Sequence, residues 1–257
     1  MLESLVVVCM IVLFMPAAPL SRPKPSHPPS IASLVPALRR QVARLSVGTP
    51  RQPNRREGRM SPSSRQIGVT GGIGAGKTAV LQLLGELGCR TVDADDVVHW
   101  LYEPGHPGYE IVSRRWGKRV LTAGGEVDRK AVAEIVFRER SELQWLNGVI
   151  HPRVRERIRS LASESETPLF CGVPLLFETG WDRFMWRSVS VWCPFRVQWQ
   201  RLRHRGWDQE EIERRLACQM NMDEKLARGD FGIINNSSWR QLREQCRLLV
   251  ERLEHAA

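Results

Sequence analysis

Gly71-x-x-x-x-Gly76-Lys77-Thr78 is where residue type and spacing most clearly prescribe chemistry in this chain. Gly71, Gly72, Gly74 and Gly76 remove side chains where backbone N–H groups would have to converge on phosphate oxygens. Lys77 would reach the terminal phosphates, and the Thr78 hydroxyl would ligate Mg²⁺. The β-prone residues Ile67 and Val69 precede the loop. Val80, Leu81, Leu83, Leu84 and Leu87 follow at helical spacing, and Gly88 ends them. The helix so started would add partial positive charge beneath the phosphates. A nucleotide site built from Gly71, Gly72, Gly74, Ala75, Gly76, Lys77, Thr78 and Ala79 is expected.

A second set of chemical groups follows. Thr91-Val92-Asp93-Ala94-Asp95-Asp96 puts three carboxylates after a short β-prone run. A carboxylate there can take the proton of an attacking hydroxyl. Capping of the helix expected over 97–102 accounts for one of the acids and leaves the others unexplained. Farther on, Arg201-Leu202-Arg203-His204-Arg205 and Arg214-Arg215 group guanidiniums that could close on a transferring phosphoryl group. A solvated helix face accounts equally well for any single one of them.

These groups need elements to position them. Strands are expected at 67–69, 90–92, 168–173, 188–192 and 232–234, with helical stretches between and a last helix over 239–253. Such alternation predicts an α/β fold, a parallel sheet flanked by helices in three layers. Ligands then bind at the carboxyl edge of the strands. No Asn-Lys-x-Asp guanine-reading motif occurs. The expected strand before Pro174 does not end in the Asp of a rotary or transport ATPase. A small-molecule kinase remains.

Of 257 residues, 42% are hydrophobic and 26% charged, which excludes a mostly disordered chain and a multi-span membrane protein. The net charge of +10 is unevenly placed. Residues 21–66 hold ten Lys/Arg against one acid, Glu57, whereas residues 67–257 hold 28 against 26. The basicity belongs to an N-terminal extension, residues 1–66, rich in Pro, Ser and Arg and expected to be a linker. No nucleic-acid partner is expected for the body. The apolar run Leu5–Met15 is too short to span a bilayer, and Glu3 is wrong for a secretory signal. Initiation at Met60 is the favoured reading of residues 1–59; a targeting or anchoring segment is the other. Membrane contact is expected only if residues 1–20 are real. Six scattered cysteines without metal-ligand spacing suggest free thiols in a reducing compartment, the cytoplasm.

Taken in order, the motifs resemble dephospho-coenzyme A kinase, a family of P-loop small-molecule kinases. Thr70–Thr78 is similar to its T-G-G-I-G-S-G-K-S, with Ala75 and Thr78 substituted, and Val92–Asp95 to its I-D-A-D. Glu103-Pro104-Gly105, Asp128-Arg129, Val136-Phe137, Leu146-Asn147, His151-Pro152, Val173–Glu178, Arg215 with Gln219, and Asn235-Asn236 continue the match over about residues 67–254. The resemblance implies transfer of the ATP γ-phosphoryl group to the ribose 3′-hydroxyl of dephospho-CoA, the last step of CoA synthesis, with Mg²⁺. It implies catalytic roles for Asp95 as base, Lys77, and Arg201 and Arg205 as lid arginines. It puts Asn235 near adenine, and Asp93, Arg129, His151 and Glu178 on the substrate side. Residues 103–160 would form a helical CoA-side subdomain, with His151-Pro152 at a helix start, and residues 196–225 the lid. Two departures stand out: Arg205 runs directly into Gly206-Trp207 where the family has Asp-Gly, and Ile234 stands where it has Asp. A P-loop kinase of another nucleoside or nucleotide, and a non-catalytic ATP-binding protein tethered by its basic extension, are the alternatives.

Overall fold

The computed structural model describes residues 65–255; the expected extension lies outside them except for its last two residues. Gln66 already belongs to the first strand, β1 (Gln66–Gly71). The others are β2 (Arg90–Asp93), β3 (Leu169–Gly172), β4 (Arg187–Trp192) and β5 (Phe231–Ile234). They form one parallel sheet in the order β2-β3-β1-β4-β5. The register aligns Asp93 with Gly172 and Gly71 with Val191, so the strands end together along one edge.

Nine helices of seven or more residues connect or follow the strands among the described residues. α1 (Lys77–Glu86) joins β1 to β2. Between β2 and β3 lie α2 (Ala94–Leu101), α3 (Pro107–Trp116), α4 (Arg129–Arg138) and α5 (Arg140–Ser163). α6 (Phe195–His204), α7 (Gln209–Ala217) and α8 (Met222–Arg228) separate β4 from β5, and α9 (Trp239–His255) closes the described chain.

Strand alternation divides the interior into two cores. Ile67, Val69, Phe170, Val189, Val191 and Ile233 face one side, where α1 and α9 cover them through Leu83, Leu84, Leu242 and Leu249. Leu169, Cys171 and Val173 face the other, joined by α2, α4 and α5 through Val97, Val132, Leu146 and Ile150. On β4 the residues that alternate with the valines are Ser188 and Ser190, both buried. Ser190 Oγ donates to Lys225 O of α8 at 2.7 Å and Ser188 Oγ to Asp230 at 2.7 Å, which satisfies both hydroxyls.

One local expectation is corrected. His151-Pro152 does not start a helix: α5 runs through Pro152 for 24 residues. Proline removes only its own N–H from the helical ladder, and the carbonyl this would leave belongs to Gly148, which is exposed.

Candidate functional site

The site begins where β1 meets α1. Gly76 caps the helix with φ 101° and no side-chain cap bond, so the first-turn amides remain free for an anion. The glycine is obligatory twice over. Its φ is left-handed, and a Cβ would sit 2.0 Å from Asn235 Nδ2. Ala75 is buried and its N–H closes a turn onto Gly72 O at 2.9 Å; Thr78 is exposed at the mouth and Ala79 half-buried behind it.

The paired carboxylates lie at the neighbouring strand ends, and the structure gives them different tasks. Asp93 is the N-cap of α2, its Oδ1 accepting from Asp95 N at 3.2 Å. Its Oδ2 is ion-paired with Lys77 Nζ. Asp95, relieved of capping, leaves Oδ1 buried with no hydrogen-bond partner. Burial, then the Asp93 charge, then Asp96 push the Asp95 carboxyl up to about 6, while Lys77 and Arg129 pull against them. A carboxylate with raised affinity for a proton beside the phosphate-loop lysine is equipped for general-base work near neutral pH.

Arg201 reaches the loop from behind. It donates to Gly74 O (3.3 Å) and Ala75 O (3.2 Å) through Nη1, and to Asn235 O and Oδ1 (both 3.2 Å) through Nη2. Asn235 is itself buried and donates to Ala75 O at 2.8 Å. Both side chains therefore brace the loop backbone. Arg205 is exposed at the C-terminal cap of α6. The residue missing after it is accommodated by Gly206, which turns the chain at φ 82°.

The candidates on the substrate side are not gathered around Asp95. Arg129 opens α4 and acts on Asp95 through its charge. Glu178 is drawn inward: its side chain is 7% exposed, Oε1 pairs with Lys225 Nζ at 2.8 Å, and the same oxygen accepts from Met220 N at 2.9 Å. Breaking such a buried pair typically costs about 3–5 kcal/mol, so Oε1 has an internal task, while Oε2 is buried with no hydrogen-bond partner. His151 meets Trp181 edge-on, with centroids 5.9 Å apart, and its buried Nε2 has no hydrogen-bond partner. Burial, assisted by Arg155, pushes the imidazole down to about 4, so it is neutral at pH 7. It lines a cavity of about 560 Å³ together with Gln144, Asn147, Arg140, Arg155 and Arg183.

A family model described as dephospho-CoA kinase matches residues 65–241, which contain this whole arrangement. The chain belongs to the dephospho-CoA kinase family. A Syntrophotalea carbinolica dephospho-CoA kinase is 38% identical over 192 residues, covering 73% of this chain and 91% of the relative. The Aquifex aeolicus dephospho-CoA kinase is 36% identical over 191 residues, 74% and 97% of the two chains. Among solved structures, the TT1252 protein from Thermus thermophilus superposes with a TM-score of 0.65 at 31% identity, covering 74% of this chain and 97% of that one. The match to a Campylobacter jejuni dephospho-CoA kinase has a TM-score of 0.51 at 24% identity and supports the same P-loop kinase fold.

Within this family member, sequence reasoning missed Gly172 and Gln198, and it matched Gln219 to a motif without giving it a task. Gly172 ends β3 against the lysine–aspartate pair: a Cβ there would lie 2.6 Å from Leu81 Cδ1, 2.9 Å from Lys77 Nζ and 3.2 Å from Asp93 Cγ. Gln198 donates to Ile73 O at 2.7 Å, and Gln219 accepts from Ile73 N at 3.0 Å. A glycine closing a strand that reads as buried was the available signal for Gly172. Nothing local marks Gln198, whose partner is 125 residues away in sequence.

Proposed function

We propose that this chain transfers the γ-phosphoryl group of ATP to the ribose 3′-hydroxyl of dephospho-CoA, giving CoA and ADP, the last step of CoA synthesis. The observation that carries the reading is Asp95, a buried carboxylate with an unpartnered oxygen and a raised proton affinity, next to Lys77 at the mouth of a phosphate loop. Asp95 takes the proton of the 3′-hydroxyl as that oxygen bonds to the γ-phosphorus. The bond from phosphorus to the β,γ-bridging oxygen breaks, and ADP leaves. Lys77 exchanges Asp93 for phosphate oxygens and stabilises the charge they carry in flight.

The residues present fit a Mg²⁺ ion. The Thr78 hydroxyl is exposed at the loop mouth, and such an ion needs only one or two protein oxygens beside phosphates and water. When bound, Mg²⁺ neutralises charge on the β- and γ-phosphates. Arg129, whose charge acts on Asp95, belongs to the acceptor side in this reading. The cavity lined by His151, Arg140, Arg155 and Arg183 receives the anionic diphosphate arm of dephospho-CoA, because no carboxylate is among its lining residues. Residues 103–160 form the acceptor-side subdomain in this reading, and residues 196–225, with Arg201 and Arg205, the lid. The cytoplasm is the site of action, a reading supported by the free state of the five described cysteines.

A coupled ADP-release assay on the full chain with ATP, Mg²⁺ and dephospho-CoA tests this, with adenosine, AMP and CMP as parallel acceptors. Rapid turnover with dephospho-CoA and little with the others is the expected result. Turnover confined to a nucleoside or nucleotide would overturn the acceptor, and none with any acceptor would overturn the activity.

A further inference from the structure

In the phosphate loop, the two peptide groups of Ile73 are both held by side chains of the segment between β4 and β5. Its carbonyl accepts from Gln198 Nε2 at 2.7 Å, and its N–H donates to Gln219 Oε1 at 3.0 Å. Gln198 belongs to α6, and Gln219 lies in the short link between α7 and α8. The loop presses close to the start of α8, directly after that link. A Cβ on Gly72 would come within 2.4 Å of Met222 Cγ and 3.3 Å of Gln198 Nε2.

The link has a second attachment, on the acceptor side. Met220, the residue after Gln219, donates its N–H to Glu178 Oε1 at 2.9 Å. Lys225 in α8 pairs with that same oxygen at 2.8 Å and donates to Pro174 O at 2.5 Å. Thr70, at the end of β1, also donates to Pro174 O, at 3.0 Å. The loop that follows β3 and the loop that follows β1 are thus fixed to one short stretch of chain, with Gln219 holding the phosphate side and Met220 the other.

We infer that Gln219 is a positioning residue for phosphoryl transfer: it sets the first half of the phosphate loop in register with the loop after β3, through the shared link 219–225. Without its oxygen, the Ile73 N–H loses its acceptor and Ile73 keeps only one of its two glutamine tethers. The amides of Gly74 to Thr78, which must converge on phosphate within a few tenths of an ångström, are then less well aimed. Gln219 touches no reacting atom in this account; it acts through Ile73.

The inference rests on the proposed activity only for its turnover arm. The test compares the full-length chain with Gln219→Met, which keeps length and flexibility and lacks the amide oxygen. Gln219 is half-exposed, so the variant is expected to fold. Equilibrium titration with Mg·ATP, with no acceptor present, should show affinity reduced about fivefold or more. In steady state, kcat/KM for ATP should fall about tenfold, KM for dephospho-CoA should move less than twofold, and the unliganded thermal midpoint should stay within about 3 °C. ATP affinity within twofold of the unaltered chain would overturn the inference. So would a loss shared equally by both substrates, or one accompanied by a large drop in melting temperature, either of which marks a merely structural role. An unaltered chain that binds ATP but does not turn over dephospho-CoA would instead count against the proposed acceptor, and the titration would still decide the role of Gln219.

Discussion

Asp95 makes the base assignment accessible to a pH experiment. An exposed aspartate near the reference value of 3.8 would be more than about 90% ionised at pH 5, and a base of that kind would show no acid limb above pH 5. Burial and Asp93 raise Asp95 to about 6. Its ionised fraction is then about 0.9 at pH 7 and about 0.1 at pH 5, so kcat/KM should fall roughly tenfold over that interval, steepening toward unit slope at its acid end. The assay is kcat/KM for dephospho-CoA with Mg·ATP saturating, across pH 5–8.5. Residual negative charge of bound ATP would displace the midpoint upward, not downward, because it opposes ionisation of a neighbouring carboxylate. Asp95→Asn supplies the control. It should lose about 10²–10⁴ in kcat, retain ATP binding, and lose the acid limb. A profile flat down to pH 5, or an Asp95→Asn enzyme with near-normal turnover, would refute the reasoning.

Two further outcomes follow from particular side chains. Gly172→Ala places a methyl group 2.6 Å from Leu81 Cδ1 and 2.9 Å from Lys77 Nζ. It should cost about 1–3 kcal/mol in urea unfolding and lower kcat by more than tenfold, and an unchanged kcat would mean that the Lys77–Asp93 geometry is not critical. His151 is held near 4 when folded against 6.5 in the unfolded chain. Its contribution to stability is complete above pH 6.5 and is lost as pH falls toward 4, because the unfolded chain takes up the proton first. Between pH 7 and 4.5 the unaltered chain should lose about 2.5 kcal/mol more stability than His151→Gln, measured by denaturant melts at each pH.

The phosphate loop was legible because its requirements are local: glycines for backbone approach, a lysine and a hydroxyl in sequence with them, and an amphipathic helix directly after. The five strands and the last helix were legible for a similar reason, since alternating and 3.6-residue apolar patterns express burial along a single element. The division of labour between Asp93 and Asp95 was not. Sequence placed both at a helix start, and only the backbone geometry of α2 assigns Asp93 to the cap and leaves Asp95 Oδ1 without a partner. The nine tryptophans had no stated task in the sequence. Packing gives several of them partners: Trp181 against His151, Trp207 under Arg215 at 4.2 Å, and Trp192 donating to Asp223 at 2.7 Å.

What the sequence by itself determined is the chemistry that depends on neighbours in the chain: the loop Gly71–Thr78, the acidic turn after β2, and the α/β alternation around them. What only the tertiary structure decided is which side chains hold that machinery still. Arg201 and Asn235 turn to the carbonyls behind the loop, Glu178 turns inward to Lys225, and Gln198 and Gln219 hold the two peptide groups of Ile73 from 125 and 146 positions away. Such contacts satisfy buried polar groups across parallel strands that are distant in sequence, and no local pattern encodes which distant group will be left in need of a partner.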